Sequence, residues 1–404
     1  MSYSLNCRPE SKFIQNIVGE LWHKLSCAFS EDIEDLVGIE SRVKKLESYL
    51  AIEFDDIRIV GVWGMGGIGK TTLARVVSRM VAKKYEGYCF LANIREVCEK
   101  DGLVSLQEQL ISQILNENIN IQNVDDGVFV IKNRLRHKRI LLVLDNVNQL
   151  DQLKNLAGKH NWFGLGSRVI ITTRDKHLLH ILGVDEIYET EGLNDDEALH
   201  LLSLKAFHKV HPPNDYLELS KDVVKYTKGL PLAVEILGSF LFGRGINQWK
   251  STLNRLTEYP EHDILQALKI SYDGLHETEK KIFLYIACFF NHKDKDSVVE
   301  KLGYLGLYPD VGLGVLVDKA LIKMSDNEVW THDLLEEMGK KIVHEESPED
   351  PGRRSRLWSF KDINNVLTKN TVRGYLENLS TYPIILFKKA QVRVALVIKH
   401  FAIL

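Results

Sequence analysis

The stretch that decides the fold of this chain is residues 64–71, which read GMGGIGKT and form a complete G-x-x-x-x-G-K-[ST] pattern. It follows the apolar run 57–63, which predicts a strand, and precedes the periodic segment 72–82, which predicts a helix. Glycines without side chains let backbone N–H groups point at a polyphosphate, and the helix behind them presents its positive end. The flanking strand and helix favour a phosphate-binding loop over a chance glycine-rich turn.

The backbone of the loop and two of its side chains are predicted to bind the nucleotide. Lys70 is placed to reach the β- and γ-phosphates as a mobile point charge, and the Thr71 hydroxyl is placed to ligate Mg²⁺. The loop residues predicted to contact the nucleotide are Gly64, Gly66, Gly67, Gly69, Lys70, Thr71 and Thr72.

A second candidate site residue, Asp145, ends the apolar run 140–144. P-loop proteins place a carboxylate at the end of such a strand, beside the Mg²⁺ held by the loop. Asp145 is therefore predicted as a catalytic residue and, with Thr71, as a metal ligand, although a turn aspartate would explain this run taken alone. The next catalytic position, where hydrolases of this class usually carry a second acid, is Asn146, which cannot accept a proton. This substitution predicts slow turnover.

A third feature is the run 167–174, which reads SRVIITTR. It predicts a buried strand that projects Thr173 and Arg174 at the edge where parallel sheets bind ligands. Arg174 is then placed as a catalytic residue that senses a γ-phosphate through charge-assisted hydrogen bonds. On its own it would be read as an exposed arginine.

The composition is that of an ordinary soluble intracellular protein. With 404 residues the chain is too long for one core, and two or three domains are expected. A net charge of −3 with 26% charged residues argues against nucleic acid as a partner, and no apolar run is long enough for a membrane span. The five cysteines lack a C-x-x-C pair, which suits a reducing compartment. A cytoplasmic location is expected, with import into the nucleus possible.

The order of predicted elements gives the fold class. Apolar runs alternate with helical patterns between residues 57 and 189, the other predicted strands being 88–94, 139–145, 168–173 and 185–188. After residue 192 helical patterns dominate, over 194–208, 216–227, 232–241, 247–256, 263–272, 277–290, 294–302 and 313–321, and a hairpin is predicted around Asp326-Asn327. We expect an α/β P-loop NTPase domain with a doubly wound parallel sheet, followed by a small helical-bundle domain and a winged-helix domain.

The motifs, taken in order, closely resemble the NB-ARC module of plant nucleotide-binding, leucine-rich-repeat immune receptors. The matching segments are 35–38 (DLVG), 64–72, 142–147 (LVLDNV), 166–174, 229–233 (GLPLA) and His332-Asp333. Segments 90–96 (FLANIRE) and 283–290 (FLYIACFF) resemble the subclass whose full-length members begin with a TIR domain. The resemblance runs from about residue 9 to 372.

The resemblance implies a set of nucleotide contacts. Val37 and Gly38 would lie against adenine, Pro231 would pack on the base, and His332 would reach the β-phosphate of bound ADP. ADP would then favour a closed state and ATP an open one. The family usually shows a methionine before the His-Asp pair, where this chain has Thr331. The implied cofactors are ADP, ATP and Mg²⁺.

The predicted domains are a helical linker (1–30), a nucleotide-binding domain (31–191), a helical ARC1 domain (192–262), a winged-helix ARC2 domain (263–370) and a tail (371–404) that matches nothing in the family. Too few residues flank them for a TIR domain or leucine-rich repeats, so neither is expected. The tail is interpreted as the product of a truncated or spliced gene, with a docking helix over 392–404 as the alternative.

The function predicted is an ADP/ATP-binding molecular switch in plant defence signalling, with at most slow ATPase activity. Its partner is the nucleotide, and full-length immune receptors that pair through the NB-ARC module are further candidates. The alternatives are a turnover ATPase of the P-loop class and a non-functional receptor fragment.

Overall fold

The structure is a computed structural model that describes residues 36–258 and 261–369, and the chain divides into two compact units between Ala267 and Leu268. The predicted linker (1–30) and the alternative docking helix (392–404) lie outside the described residues. The boundaries predicted for the five domains stay predictions.

The first unit is built on a five-stranded parallel sheet. Its strands are β1 (Arg58–Trp63), β2 (Gly87–Leu91), β3 (Ile140–Val147), β4 (Arg168–Thr173) and β5 (Glu186–Glu189), in the spatial order β2-β3-β4-β1-β5. The three central strands read as continuous apolar runs because helices cover both faces of a parallel sheet. This architecture confirms the predicted α/β fold class.

Six helices accompany these strands in the described part of the first unit. They are α1 (Ile39–Leu50), α2 (Lys70–Val81), α3 (Ile94–Leu115), α4 (Val124–Leu135), α5 (Leu150–Ala157) and α6 (Lys176–Leu182). The helical region that continues the unit contains α7 (Asp195–Phe207), α8 (Leu217–Thr227), α9 (Pro231–Leu241), α10 (Ile246–Glu258) and α11 (His262–Asp273), the last of which extends past Ala267. The apolar faces of α1 and α2 pack on the sheet, with Leu46, Leu50 and Leu73 in one buried cluster with Val60.

One predicted strand boundary is wrong. The strand predicted over 88–94 ends at Leu91, and Ile94 already begins α3. Asn93 takes a left-handed conformation between the two elements, with φ of 50°, and the chain turns from strand into helix at this residue. Gly102, with φ of 80° and ψ of 174°, then kinks α3.

A buried arginine joins the end of α1 to the sheet. Arg168, at the start of β4, is fully buried and donates to the carbonyl oxygens of Ala51 and Phe54, at 2.7 and 2.8 Å, and to that of Leu50. It also donates to the Asp56 carboxylate at 3.0 Å. Because these carbonyls follow or end a helix, the guanidinium supplies the donors that the helix end lacks.

The second unit contains helices and a small antiparallel sheet. Its helices are α12 (Glu277–Tyr285), α13 (Lys295–Tyr304), α14 (Pro309–Asp318), α15 (Asp333–Glu345) and α16 (Phe360–Lys369), and its strands are β6 (Lys293–Asp294), β7 (Lys323–Ser325) and β8 (Glu328–Trp330), in the order β6-β8-β7. The predicted hairpin is present, and its turn residues Asp326 and Asn327 have φ of 51° and 62°. Helix α12 runs into a π-helical turn at Ile286–Phe290.

Candidate functional site

The phosphate loop connects β1 to α2. Strand β1 ends at Trp63, and α2 begins at Lys70. Gly67 and Gly69 have φ of 76° and 95°, in the left-handed region that glycine adopts at low cost. The turn brings the start of α2 and its unpaired amide donors behind the loop, which is the geometry that binds phosphate in P-loop proteins.

Lys70 is folded into its own loop. Its Nζ donates to the carbonyl oxygens of Gly64 and Met65, at 2.9 and 2.8 Å. The pKa of Lys70 is lowered to about 7, mainly by burial and further by the nearby Arg174 charge, whereas the Asp145 charge acts in the opposite direction. The amine is therefore placed where a phosphate charge would favour its protonated form.

Asp145 accepts hydrogen bonds from the start of α2, from strand β4 and from the segment that follows β2. Its Oδ1 accepts from the hydroxyls of Thr71 and Thr172, at 2.6 and 2.7 Å, and its Oδ2 accepts from the Asn93 amide at 3.4 Å. The buried carboxylate and the Thr71 hydroxyl form a pair of hard oxygen ligands of the kind that Mg²⁺ prefers. In residues 36–258 and 261–369, no cluster of three His, Cys, Asp or Glu side chains could hold a metal. A Mg²⁺ held by this oxygen pair would take its other ligands from phosphate and water.

Asn146 lies beside Asp145 with φ of 58°. Its side-chain Nδ2 donates to Asn93 Oδ1 at 2.8 Å, and its backbone amide donates to Thr172 Oγ1 at 2.9 Å. The amide side chain thus points to the start of α3, and it has no basic atom that could take a proton from water.

The sequence missed two residues of this network, Thr172 and Asn93. Thr173, predicted to project at the sheet edge, is instead buried and donates to the Val147 carbonyl at 2.7 Å. The register of β3 and β4 would have identified Thr172. Leu144 pairs with Ile171, and Asp145 and Thr172 are the residues that follow them. Asn93 carries no comparable signal in the local sequence.

Arg174 follows β4 and lies against the phosphate loop. A Cβ atom at Gly66 would lie only 2.5 Å from Arg174 Nη1, and that same nitrogen donates to the carbonyl oxygen of Ala267 at 2.8 Å. Burial lowers the pKa of Arg174, and the charge of Arg95 lowers it further. The structure thus places Arg174 beside the loop, and Ala267 is a partner that the sequence did not indicate.

The helical region contacts the phosphate loop directly. The Leu232 amide, in the first turn of α9, donates to the Gly67 carbonyl at 3.2 Å. The Leu232 side chain fills the space beside Gly67, where an added Cβ atom would lie 2.7 Å from Leu232 Cβ. Pro231, the first residue of α9, is thereby brought next to the loop, and its contact with the base stays a prediction.

Val37 and Gly38 precede α1 and are half-buried. Gly38 has φ of 69°, and its carbonyl oxygen accepts a hydrogen bond from Arg42. The carboxylate of Glu197 packs against Gly38 and leaves no room for a Cβ atom.

His332 belongs to the second unit. Its ring is buried, and its Nδ1 accepts a hydrogen bond from the Leu334 amide at 3.2 Å, which caps the start of α15. The proton of the neutral ring therefore lies on Nε2. The hydroxyl of the preceding Thr331 donates to the Leu321 carbonyl at 2.7 Å.

Comparison with known proteins identifies the two parts of the chain. The NB-ARC domain family matches residues 39–211, which include the phosphate loop, Asp145 and Arg174. The winged-helix domain of Roq1-like disease resistance proteins matches residues 276–347, which include His332. The chain belongs to the NB-ARC proteins of plant disease resistance.

Curated relatives align with the NB-ARC chain over most of its length. It is 43% identical to the disease resistance protein RUN1 of Vitis rotundifolia over 361 residues, which is 89% of this chain and 27% of the relative. It is 41% identical to the TMV resistance protein N of Nicotiana glutinosa over 372 residues, which is 90% of this chain and 32% of the relative. The chain thus spans about a third or less of the length of these relatives.

One solved structure aligns with much of the NB-ARC chain at low similarity. The Walker-type ATPase PABY2304 of Pyrococcus abyssi is 14% identical, with a TM-score of 0.49, and the match covers 76% of this chain and 97% of that protein. A likeness at this level does not inform on function. In the parts of the chain that the structure describes, no helix is both long and apolar enough to cross a membrane.

Proposed function

We propose that this NB-ARC chain is a nucleotide-dependent switch that binds ADP or ATP with Mg²⁺ in plant defence signalling. The observation that supports it best is the hydrogen bond from Leu232, at the start of α9, to Gly67 in the phosphate loop. A change in the loop on nucleotide exchange would act directly on the helical region. A ligand shifts such an equilibrium only by its differential affinity for the two states.

Arg174 supplies a difference between the two nucleotides. It lies against Gly66 of the loop and donates to the Ala267 carbonyl. A γ-phosphate at the loop would compete with that carbonyl for the guanidinium, whereas ADP has no group at this position. ATP would therefore weaken the Arg174–Ala267 contact, and ADP would preserve it.

Thr71 and Asp145 are the residues that would hold Mg²⁺, since their oxygens already lie 2.6 Å apart. The ion would neutralise phosphate charge and orient the terminal phosphate when bound. The roles of Val37, Gly38 and Pro231 toward adenine and of His332 toward the β-phosphate remain proposals that rest on the family resemblance. So do a cytoplasmic or nuclear location and pairing with full-length receptors.

A turnover ATPase is the second candidate function, because the phosphate loop and the Asp145 carboxylate are both present. Asn146 disfavours it, since its side-chain amide is bonded to Asn93 and cannot act as a base. A switch needs long-lived states, and a missing base prolongs the ATP state.

The nucleotide carried by freshly purified protein tests the proposal. We expect chromatography of the nucleotide released on denaturation to show stoichiometric ADP, and steady-state turnover below about one per minute, against an enzyme median of about 10 s⁻¹. Fast turnover would establish the ATPase alternative. Absence of any nucleotide, with no binding of added ADP, would reject both functions.

Substitution of Asn146 by aspartate separates the two functions further. Asn146→Asp restores an acid at the position beside Asp145, and we expect hydrolysis to rise by part of the ~10²–10⁴-fold that a general base supplies. Single-turnover hydrolysis of radiolabelled ATP measures the rate, with Asp145→Ala as the variant that loses Mg²⁺-dependent ATP binding. An Asn146→Asp rate equal to that of the parent would mean that residue 146 is not beside the attacking water.

A further inference from the structure

The guanidinium of Arg42, on α1, binds three separate segments of the first unit. It donates to the carbonyl oxygens of Gly38 and Gly192, and to the Glu191 carbonyl at 3.4 Å. It also forms two hydrogen bonds with the Glu197 carboxylate, at 3.1 and 2.9 Å. All three nitrogens of the side chain are therefore engaged, in a planar arrangement that lysine could not reproduce.

Glu197 is fixed from its own side as well. Its Oε2 accepts from the Asn194 amide at 3.0 Å, and the Asn194 side chain accepts from the Glu197 amide at 2.9 Å, which closes the capping box of α7. The carboxylate packs on Gly38, where a Cβ atom would lie 2.4 Å from its Cδ. The start of the helical region is thereby held against the segment that precedes α1.

The contacts continue from Gly192 to the start of α9. The Leu193 amide donates to the Gly229 carbonyl at 2.8 Å, and a Cβ atom at Gly192 would lie 2.9 Å from that same oxygen. Gly229 leads through Leu230 into Pro231. One chain of hydrogen bonds thus runs from Gly38 through Arg42 to the residues before Pro231.

We propose that Arg42 and Glu197 form a clasp that sets the spacing between residues 37–38 and 229–231, the two segments proposed to enclose the adenine base. This inference rests on the proposed function. The clasp pair are positioning residues, because they act on the base through the backbone that they hold. The clasp makes base recognition depend on the contact between the sheet and the helical region.

Burial and charge support a defined geometry for the clasp. The side chains of Arg42 and Glu197 are 15% and 19% exposed, whereas those of the neighbouring pair Lys45 and Glu191 are 49% and 69% exposed. A shielded Arg–carboxylate pair with two hydrogen bonds is more directional than an exposed Lys–carboxylate pair, and solvent screens it less. Lys45 lies on the same helix as Arg42, and it gives a matched control.

The test compares the binding of ADP with that of inorganic pyrophosphate, by titration calorimetry, in the parent protein and in Arg42→Gln, Glu197→Gln and Lys45→Gln. We expect Arg42→Gln and Glu197→Gln each to lower ADP affinity about tenfold, within the range of measured couplings between sites. Pyrophosphate affinity should stay within about twofold of the parent, because the phosphate loop is untouched. Lys45→Gln should resemble the parent with both ligands.

Each outcome decides for or against the clasp. Equal loss of ADP and pyrophosphate affinity would show a general structural role and overturn it, as would an ADP affinity in Arg42→Gln no lower than in Lys45→Gln. A parent protein that fails to bind ADP would overturn the proposed function itself. If Arg42→Gln does not fold, Arg42→Lys keeps the charge but not the planar fork, and a selective loss of ADP affinity is expected there too. Parent-like ADP affinity in Arg42→Lys would overturn the clasp.

Discussion

The phosphate side and the base side of the candidate site are built in different ways. Around the phosphate loop, Lys70 and Asp145 are buried, at 9% and 4% exposure, and are bonded to the loop and to adjacent strands. On the base side, residues 37–38 are held by the clasp, which bridges the end of the sheet region and the first helix of the helical region. The charged residues proposed to hold the phosphates belong to the sheet region, whereas the proposed base contacts require two regions to stay together.

This difference has a mechanistic meaning for a switch. A rigid phosphate site can keep the nucleotide attached while the base side loosens, because the charged contacts are made mainly by one compact sheet edge. Because the proposed base contacts depend on two regions, they are the contacts that change when these regions separate.

The largest effect is expected for Lys70→Arg on the phosphate side. The planar guanidinium does not fit a buried site in which a compact ammonium donates to two loop carbonyls. We expect ADP affinity to fall about 100-fold or more, which corresponds to about 2.7 kcal/mol. Calorimetric titration with ADP and with pyrophosphate measures it, and both ligands should suffer alike. Unchanged ADP retention would reject the site assignment.

A smaller effect is expected for Gly38→Ala on the base side. Alanine at φ of 69° is strained, and its Cβ atom would meet the Glu197 carboxylate. We expect a loss of about 1–3 kcal/mol in the free energy of unfolding, as for other residues forced into the left-handed region. ADP affinity should fall while pyrophosphate affinity persists. Chemical denaturation and paired titrations check both, and a parallel loss of both ligands would contradict the division between the two sides.

The smallest effect is a pH dependence confined to the phosphate side. Burial lowers the pKa of Lys70 to about 7, so the amine of the ligand-free protein loses its proton as the pH rises through 7, and phosphate binding must restore it. ADP affinity should therefore fall about fivefold between pH 7 and 8, with proton uptake on binding. Titrations in buffers of different ionisation enthalpy measure the uptake, and Lys70→Arg should abolish it. An affinity independent of pH would show that Lys70 is already charged without ligand.

The same pKa predicts how the stability of the ligand-free protein depends on pH. Because the folded pKa lies below the unfolded value, the unfolded chain binds more protons between about pH 7 and 10, and the Lys70 contribution to stability rises over that interval. Bound phosphate, which favours the charged amine, should abolish this trend.

The parts of the molecule that the sequence predicted are those encoded locally. The strand before the loop, the glycines, the acid in β3 and the hairpin at Asp326-Asn327 all follow from short patterns whose physical requirements are local. The fold class and the family followed from their order. The predicted strand over 88–94 failed because periodicity does not report where an apolar run changes from strand to helix, as it does at Asn93.

The parts that could not be predicted depend on pairs that are distant in the sequence. Arg174 and Ala267 are 93 residues apart, and Arg42 and Glu197 are 155 residues apart. No local pattern marks either pair, since an arginine on a helix or a glutamate in a first helical turn is ordinary. Thr172 needed the register of β3 and β4, and β6 has only two residues, fewer than periodicity can detect.

The buried Arg168 also has a consequence for how the molecule opens. Its guanidinium bonds to residues that lie 112 to 118 positions earlier in the chain. Detachment of the end of α1 would leave the buried guanidinium without these helix-end acceptors, at a cost that exceeds ordinary helix fraying. The last turn of α1 should therefore exchange its amide hydrogens only with cooperative unfolding of the sheet. The end of α1 is thus expected to belong to the same cooperative unit as β4.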